Sequence, residues 1–239
     1  MADVLLLSNS TMPGTPFFSW SRPWVKAFLG STKRELIFIP FAAVTISYDE
    51  YEKKVADALG ELGLVVRGLH RFDVPIQGLE SAGGIIVGGG NSFALLEPMY
   101  RHDLLEAARR KVKEGRIPYI GWSAGANLAS PTIMTTNDMP VIQPPSLNAL
   151  GLVPFQINPH YHELKFEGQG GETRKERLDE FLVLNPDKKV IGLPEGTLLM
   201  QRGSTLTFEG ILPAKLYQQG KEPADILPGS DVSYQILNS

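Results

Sequence analysis

Short, continuous apolar runs recur along the first half of the chain and end at glycine, proline, serine or asparagine. They cover residues 4–7, 36–39, 64–66, 85–87 and 117–120. A run without polar alternation is typical of a strand buried on both faces, as in a parallel sheet covered by helices. The pattern therefore predicts the strands of a mostly parallel sheet.

Amphipathic segments lie between and after these runs and predict helices. Ser47 with Glu50, and Thr173 with Glu176, have the spacing of a capping box, in which each end of the motif satisfies an amide at a helix start. Residues 104–113 carry apolar positions at helical spacing. Strands alternating with helices predict right-handed βαβ units and a three-layer α/β fold with helices on both faces of the sheet.

The sequence pattern changes after Glu195. Short β-like runs joined by turns follow at residues 197–201, 206–208 and 215–218. We interpret these runs as C-terminal antiparallel hairpins that finish the sheet edge. No linker or repeat separates them from the rest. The sequence therefore predicts a single α/β catalytic domain over residues 1–239.

Composition narrows the function classes. The 239 residues are 43% hydrophobic and 21% charged, with a net charge of −3, so no basic face for nucleic acid is expected. The absence of cysteine excludes a disulfide framework, a thiolate zinc site and a cysteine nucleophile. No apolar run reaches the roughly 18 residues of a spanning helix, and the first residues lack a signal peptide's basic flank. We expect a cytoplasmic protein with no membrane partner; a homodimer is compatible with the sequence.

The segment Gly121-Trp122-Ser123-Ala124-Gly125 follows an apolar run and precedes small, helix-compatible residues. Glycines two positions before and after a serine allow a strand-to-helix turn sharp enough to expose its hydroxyl. This context predicts that Ser123 is a nucleophile. The structural alternative is a small-residue turn that lets a helix pack closely on a sheet.

The four histidines supply the candidate bases. His160 follows an apolar segment closed by Pro159, which places it at the carboxyl end of a strand, where α/β sheets hold catalytic groups. His162 lies two residues on, so the pair could instead bind a metal, although no further ligands stand at recognisable spacing. His70 and His102 are interpreted as structural and surface residues.

Two carboxylates are candidates for orienting the histidine. Glu195, between Pro194 and Gly196, follows an apolar strand and has the better position. Asp138 lies in a polar loop and would give the chain order Ser, Asp, His of α/β hydrolases. Without a catalytic role, Glu195 would be a carboxylate in a turn, and Asp138 would form an Asx-turn before Pro140.

The glycine run Gly88-Gly89-Gly90-Asn91 also follows a strand and precedes a helix. A phosphate loop is the rival interpretation, but no Gly-Lys-Ser/Thr or G-x-G-x-x-G spacing is present. An oxyanion hole fits better, with donors from Gly89 or Gly90 and from the amide of Ala124.

Together these motifs resemble peptidase E, the family of α-aspartyl dipeptidases, from about residue 4 to about residue 200. The blocks, in the family's order, are Ser8-Asn9-Ser10-Thr11, Ile39-Pro40-Phe41-Ala42, Val87-Gly88-Gly89-Gly90-Asn91, Gly121 to Asn127, Thr135 to Pro140, Ile157-Asn158-Pro159-His160 and Gly192 to Gly196. The resemblance implies a fold like class I glutamine amidotransferases and hydrolysis of Asp-Xaa dipeptides with a free amino terminus, without metal or cofactor. It carries the nucleophile onto Ser123 and the base onto His160, and leaves both carboxylates as candidates.

The family's specificity arginine matches Arg174, and residues 168–171 would form a mobile flap before it. A guanidinium at a helix start suits a substrate carboxylate; without the resemblance, Arg174 would be a surface residue in a capping box. Two other functions remain alternatives: a cyanophycinase-like hydrolase of β-aspartyl links, and a catalytically silent metabolite-binding protein. The tail beyond about residue 200 matches no motif.

Overall fold

The computed structural model describes residues 2–30, 35–164 and 170–237. Its strands are β1 (Val4–Leu7), β2 (Leu36–Ile39), β3 (Val66–Gly68), β4 (Gly84–Val87), β5 (Tyr119–Trp122), β6 (Gln156–Pro159), β7 (Lys189–Leu193), β8 (Thr197–Arg202), β9 (Thr205–Gly210), β10 (Ala214–Gln218), β11 (Ala224–Ile226) and β12 (Ser230–Asp231). Its α-helices are α1 (Arg22–Leu29), α2 (Tyr48–Gly60), α3 (Pro75–Ser81), α4 (Ser92–Arg101), α5 (Leu104–Lys113), α6 (Ala124–Leu128), α7 (Arg174–Leu184) and α8 (Ser233–Leu237).

The larger sheet has eight strands in the order β12-β9-β8-β1-β5-β4-β2-β3. Strands β1, β5, β4, β2 and β3 are parallel to one another, whereas β8 pairs with the other side of β1 in the antiparallel sense. Parallel strands end on the same side of a sheet. Ser8, Gly88 and Ser123 follow the carboxyl ends of β1, β4 and β5, and therefore come together at that edge.

Side chains of β1 alternate between two hydrophobic cores, one on each face of the larger sheet. Val4 and Leu6 lie in the core that includes buried residues of α3, α4, α5 and α6. Leu5 and Leu7 lie in the core that includes buried residues of α1 and α2. This division confirms the predicted α/β fold, with a mostly parallel sheet between two helical layers.

A second, four-stranded sheet has the order β11-β10-β7-β6. Strands β6 and β7 are parallel, and β10 runs antiparallel to β7. Ile157 and Leu193 face the larger core, while Val190 packs with Leu178 and Leu182 of α7 in a separate cluster. The second sheet thus brings the ends of β6 and β7, with His160 and Glu195, against the edge of the first.

The C-terminal antiparallel strands are present, but the prediction that they all finish one sheet edge was wrong. Strands β8, β9 and β12 extend the larger sheet, whereas β10 and β11 extend the smaller one. The division arises because the chain leaves β7 in one sheet and enters β8 in the other through the turn that contains Glu195 and Gly196.

Both predicted capping boxes are confirmed. The Ser47 and Thr173 hydroxyls accept from the backbone amides of Glu50 and Glu176, whose carboxylates accept from the capping amides in return. Strand β5 begins two residues later than the apolar run that predicted it. The run contains Pro118, which has no amide hydrogen to donate to a neighbouring strand. Among the described residues, no helix is long and apolar enough to cross a membrane.

Candidate active site

Ser123 occupies a sharp turn between β5 and α6, with φ of 52° and ψ of −116°. Such a conformation costs a non-glycine residue on the order of 1–3 kcal/mol and persists only where its surroundings enforce it. Its amide donates to the carbonyl of Leu7 over 3.1 Å, which ties the turn to β1. Gly125 makes the close approach of α6 possible, because a Cβ there would lie 2.2 Å from the carbonyl oxygen of Val87.

Ser123, His160 and Glu195 form a hydrogen-bonded chain. The Ser123 Oγ lies 2.8 Å from His160 Nε2, and His160 Nδ1 lies 2.7 Å from Glu195 Oε1. A carboxylate only accepts hydrogen bonds, so it holds the proton on Nδ1 and leaves the Nε2 lone pair facing the serine hydroxyl. This is the arrangement in which a neutral imidazole can take a proton from serine.

The chain is partly open to solvent. The His160 side chain is 38% exposed and that of Glu195 is 45% exposed. A hydrogen bond this accessible competes with water and contributes modestly to the stability of the fold. The carboxylate is therefore better placed to orient the imidazole than to stabilise the protein.

Two polar residues after β1 connect the larger sheet, which carries Ser123, to the smaller sheet. The buried Ser8 hydroxyl donates to the Leu193 carbonyl over 2.8 Å and accepts from the His160 amide over 2.9 Å. The Asn9 Oδ1 accepts from the Gly196 amide over 2.9 Å, beside Glu195. Ser8 thus supports the left-handed conformation of His160, whose φ is 54°.

Sequence reasoning placed Ser8 and Asn9 in a motif without giving them a role. The signal that could have found them is their position directly after β1, at the same sheet edge as Ser123.

The glycine loop after β4 lies against Ser123. A Cβ on Gly89 would lie 3.0 Å from the Cβ of Ser123. Gly90 has φ of 137° and is backed by the Ala42 carbonyl oxygen, which a Cβ would approach to 2.1 Å, so only glycine fits. Among the described residues, neither the Gly89 nor the Gly90 amide has a backbone acceptor. The amide of Ala124, as the first of α6, has no intrahelical acceptor either.

Ser123, His160, Glu195 and the glycine loop line one cavity of about 210 Å³. Its lining includes Asn9, Ser10, Thr11, Tyr51, Gly89, Gly90, Trp122, Ser123, His160 and Glu195. The oxyanion donors predicted at Gly89 and Gly90 therefore share a cavity with the serine. A larger cavity of about 680 Å³ is lined by Phe93 and residues 140–147 and contains none of these groups.

Asp138 is hydrogen-bonded away from His160. Its Oδ2 accepts from the Ser92 amide over 2.7 Å, at the start of α4, and from the Thr136 hydroxyl over 3.0 Å. These bonds hold its loop on α4, so among the described residues the carboxylate that hydrogen-bonds His160 is that of Glu195. No described residue donates a hydrogen bond to the other oxygen, Oδ1.

Arg174 begins α7 and faces the Asp138 loop. One guanidinium nitrogen donates to the Asn137 side-chain oxygen. Burial lowers the pKa of Arg174, the positive charge of Arg177 lowers it further, and the negative charge of Asp138 opposes both. Arg174, Asp138 and Asn137 line a separate cavity of about 230 Å³, which shares no lining residue with the Ser123 cavity among the described residues. Asn137 connects the two places, since its Nδ2 donates to the carbonyl of Pro159, next to His160.

The sequence profile of peptidase family S51 matches residues 4–208. Proteins called peptidase E from Shewanella sp. (strain ANA-3) and Nostoc sp. (strain PCC 7120) are each 44% identical to this chain over 97% of its length, covering 98% and 95% of their own. The chain belongs to peptidase family S51. The family resemblance predicted from the motifs is therefore confirmed.

Solved structures show the same fold. This S51 chain matches a protein described as a candidate peptidase E from Listeria monocytogenes with a TM-score of 0.67 and 23% identity, over 89% of this chain and all of the other. It also matches a peptidase from an acI-B1 actinobacterium with a TM-score of 0.68 and 16% identity, over 97% and 96% of the two chains. At these identities the likeness concerns the fold.

The remaining histidines of this S51 peptidase lie outside the hydrogen-bonded chain of Ser123, His160 and Glu195. His70 hydrogen-bonds Asp49 over 2.9 Å, and His102 and His162 are exposed. Within residues 2–30, 35–164 and 170–237, the one group of carboxylate and imidazole atoms close enough to share a metal is Asp49, Glu52 and His70. Of the predicted flap over residues 168–171, Gly168 and Gln169 lie outside the described residues.

Proposed function

We propose that this S51 peptidase is a serine exopeptidase that hydrolyses the peptide bond after an amino-terminal aspartate in Asp-Xaa dipeptides. The observation that carries the proposal is the hydrogen-bonded chain from Glu195 through His160 to Ser123, at 2.7 and 2.8 Å, on a strand–turn–helix elbow. A serine hydroxyl is a weak nucleophile, and a neutral imidazole in this position can activate it.

In the proposed reaction, His160 Nε2 takes the proton of Ser123 as Oγ attacks the carbonyl carbon of the aspartyl residue. The tetrahedral oxyanion accepts hydrogen bonds from the Gly90 and Ala124 amides. Collapse breaks the carbon–nitrogen bond, and His160 donates its proton to the departing amine. His160 then deprotonates a water molecule, which attacks the ester carbonyl. Collapse of this second intermediate breaks the bond to Ser123 Oγ and releases aspartate, and His160 returns the proton to Oγ.

Arg174 is proposed to bind the aspartyl side chain. A half-buried guanidinium whose pKa is lowered by burial and by Arg177 gains most from an anion that replaces lost water. The aspartyl carboxylate supplies a planar, bidentate partner of that charge. An uncharged side chain would leave the guanidinium without such a partner, so a strong preference for aspartate is expected.

Asp138 is proposed to receive the substrate's amino terminus rather than to orient His160. Its Oδ2 is bound within the protein, whereas its Oδ1 has no donor among the described residues, and Asp138 lines the same cavity as Arg174. An ammonium group is the complement of that oxygen. Opposite charges on Arg174 and Asp138 would thus recognise a residue with one free carboxylate and one free amine.

A turnover screen of Xaa-Leu dipeptides tests the proposal. Asp-Leu should be hydrolysed, whereas Asn-Leu and Ala-Leu should be slower in kcat/KM by roughly 10⁴-fold, as for a buried polar partner left unpaired. Preferential turnover of β-Asp-Arg would instead favour a hydrolase of β-aspartyl links. A purified protein that hydrolyses no peptide and does not react with a fluorophosphonate would favour a silent binding protein.

A further inference from the structure

Tyr51 connects α2 to both sides of the proposed catalytic centre. Its hydroxyl lies 3.0 Å from the Gly89 carbonyl oxygen and 3.0 Å from Nε1 of Trp122, the residue before the nucleophile. The directions are unambiguous, because an indole N–H only donates and a carbonyl only accepts. Trp122 therefore donates to Tyr51, and Tyr51 donates to Gly89.

The bond to the Gly89 carbonyl fixes the direction of the next amide. In a trans peptide the carbonyl of one residue and the N–H of the following one point in opposite directions. Because the Gly89 oxygen points at Tyr51, the Gly90 N–H points away from it. Gly90 lines the cavity of Ser123, and its amide has no backbone acceptor among the described residues.

The glycine loop needs such a constraint. Consecutive glycines lack a Cβ and have many accessible conformations, so a peptide between them can rotate at little steric cost. Rotation of the Gly89–Gly90 peptide would replace an N–H donor with a carbonyl oxygen, which repels an oxyanion. A carbonyl that accepts a hydrogen bond also polarises its own peptide, which strengthens the N–H as a donor.

We propose that Tyr51 is a positioning residue, which holds the Gly89–Gly90 peptide so that the Gly90 amide faces the oxyanion formed on attack by Ser123. Trp122 completes the chain by orienting the Tyr51 hydroxyl. The inference rests on the proposed serine mechanism and adds a residue from a distant helix to it. Tyr51 also lines the Ser123 cavity, and the role proposed for it here acts through the backbone of the glycine loop.

The substitution Tyr51→Phe removes the hydroxyl and retains the ring, which is 7% exposed and packs edge-on against Phe38 at 5.0 Å between centroids. A preorganised oxyanion donor contributes roughly 10²–10³-fold to kcat, and a donor that is misdirected part of the time should cost less. We expect kcat for Asp-Leu to fall by about 10- to 100-fold, with KM changed less than about twofold.

The decisive readout is inhibitor affinity. A boronic acid analogue of aspartate forms a tetrahedral adduct with a serine and places an oxygen in the oxyanion position. β-Alanine keeps the amine and the side-chain carboxylate of aspartate but lacks the α-carboxylate, so it has no oxygen for that position. Tyr51→Phe should weaken binding of the boronic acid by the same factor as kcat and leave β-alanine binding unchanged. A merely structural loss would weaken both ligands together.

Tyr100→Phe is the matched control, because it also removes a tyrosine hydroxyl bound to a backbone carbonyl, that of Asn148 at 2.9 Å, outside the Ser123 cavity. It should leave kcat and both affinities unchanged. Trp122→Phe should shift kcat and boronic acid affinity in the same direction as Tyr51→Phe but less, since the Tyr51 bond to Gly89 remains.

Two results would overturn the inference: Tyr51→Phe within twofold of the wild type in kcat and boronic acid affinity, or equal losses of affinity for the boronic acid and for β-alanine. Labelling of wild-type Ser123 by a fluorophosphonate keeps this test separate from the proposed function. If the wild type is labelled and Tyr51→Phe has no effect, the positioning role alone fails. If Ser123 is never labelled, the serine mechanism fails as well.

Discussion

Replacing Glu195 by glutamine should lower kcat for Asp-Leu by about 10⁴-fold while leaving the fold intact. The carboxylate oxygen 2.7 Å from His160 Nδ1 can only accept, and this fixes the imidazole proton on Nδ1. A glutamine amide can present its NH₂ group instead. The proton then moves to Nε2, which lies 2.8 Å from Ser123 Oγ and can no longer accept the serine proton.

The magnitude follows from the loss of the correct tautomer. In serine peptidases the exchange of a triad carboxylate for an amide costs about 10⁴ in kcat, which corresponds to about 5.5 kcal/mol in the barrier. The effect on stability should be far smaller, because Glu195 is 45% exposed and its pairing with His160 is screened. Activity and thermal stability should therefore separate sharply in this variant.

The assay is steady-state release of leucine from Asp-Leu, with a thermal melt on each protein. Glu163→Gln is the matched control: it makes the same chemical change near His160, at a glutamate outside the triad cavity that lies 3.5 Å from Lys215. The control should retain kcat. A Glu195→Gln enzyme within tenfold of the wild type would refute the reasoning, as would a loss matched by Glu163→Gln.

Three further predictions concern recognition and metal. Arg174→Met should abolish the preference for Asp-Leu over Ala-Leu while Ser123 still reacts with a small fluorophosphonate; retained preference would show that another cation reads the substrate. Asp138→Asn should lower kcat/KM for Asp-Leu but leave that labelling and the turnover of succinyl-leucine, which lacks the amine, unchanged; slower labelling would instead assign Asp138 to the triad. EDTA or 1,10-phenanthroline should not change activity, because Ser–His chemistry needs no Lewis acid; loss restored by Zn²⁺ would contradict this and point to His160 and His162.

The main sheet and the positions of Ser123 and His160 followed from sequence because each depends on local pattern. Buried parallel strands are continuous apolar runs, and their carboxyl ends converge wherever the strands are paired. The glycines around Ser123 are required by the close approach of α6 to the sheet, which is also local. The structure places these residues within hydrogen-bond distance of each other.

The second sheet could not be predicted, because nothing in the apolar pattern says which distant strand will pair with β7 or β8. That choice depends on pairings such as Lys215 with Gly192 and Val4 with Gln201. The choice between Glu195 and Asp138 likewise depends on where two loops point. The Asp138 carboxylate lies at the start of α4, where it accepts a hydrogen bond from the Ser92 amide.

Tyr51 shows a third limit of the sequence pattern. It lies on the buried side of α2, with Val55 and Leu59. Its phenol hydroxyl indicates a further role, since a buried tyrosine hydroxyl usually has a hydrogen-bond partner. Only the fold reveals that its partners are Gly89 and Trp122, on either side of the proposed catalytic centre.

The nucleophile is the centre of this account, and covalent labelling tests it most directly. Wild-type protein treated with a fluorophosphonate should gain one adduct, which peptide mapping locates on Ser123, and should lose Asp-Leu hydrolysis in proportion to labelling. Ser123→Ala should melt like the wild type, take up no label and lose roughly 10⁶-fold in kcat. Asp-Leu hydrolysis by fully labelled enzyme, or by purified Ser123→Ala at a rate near the wild type, would contradict the serine mechanism.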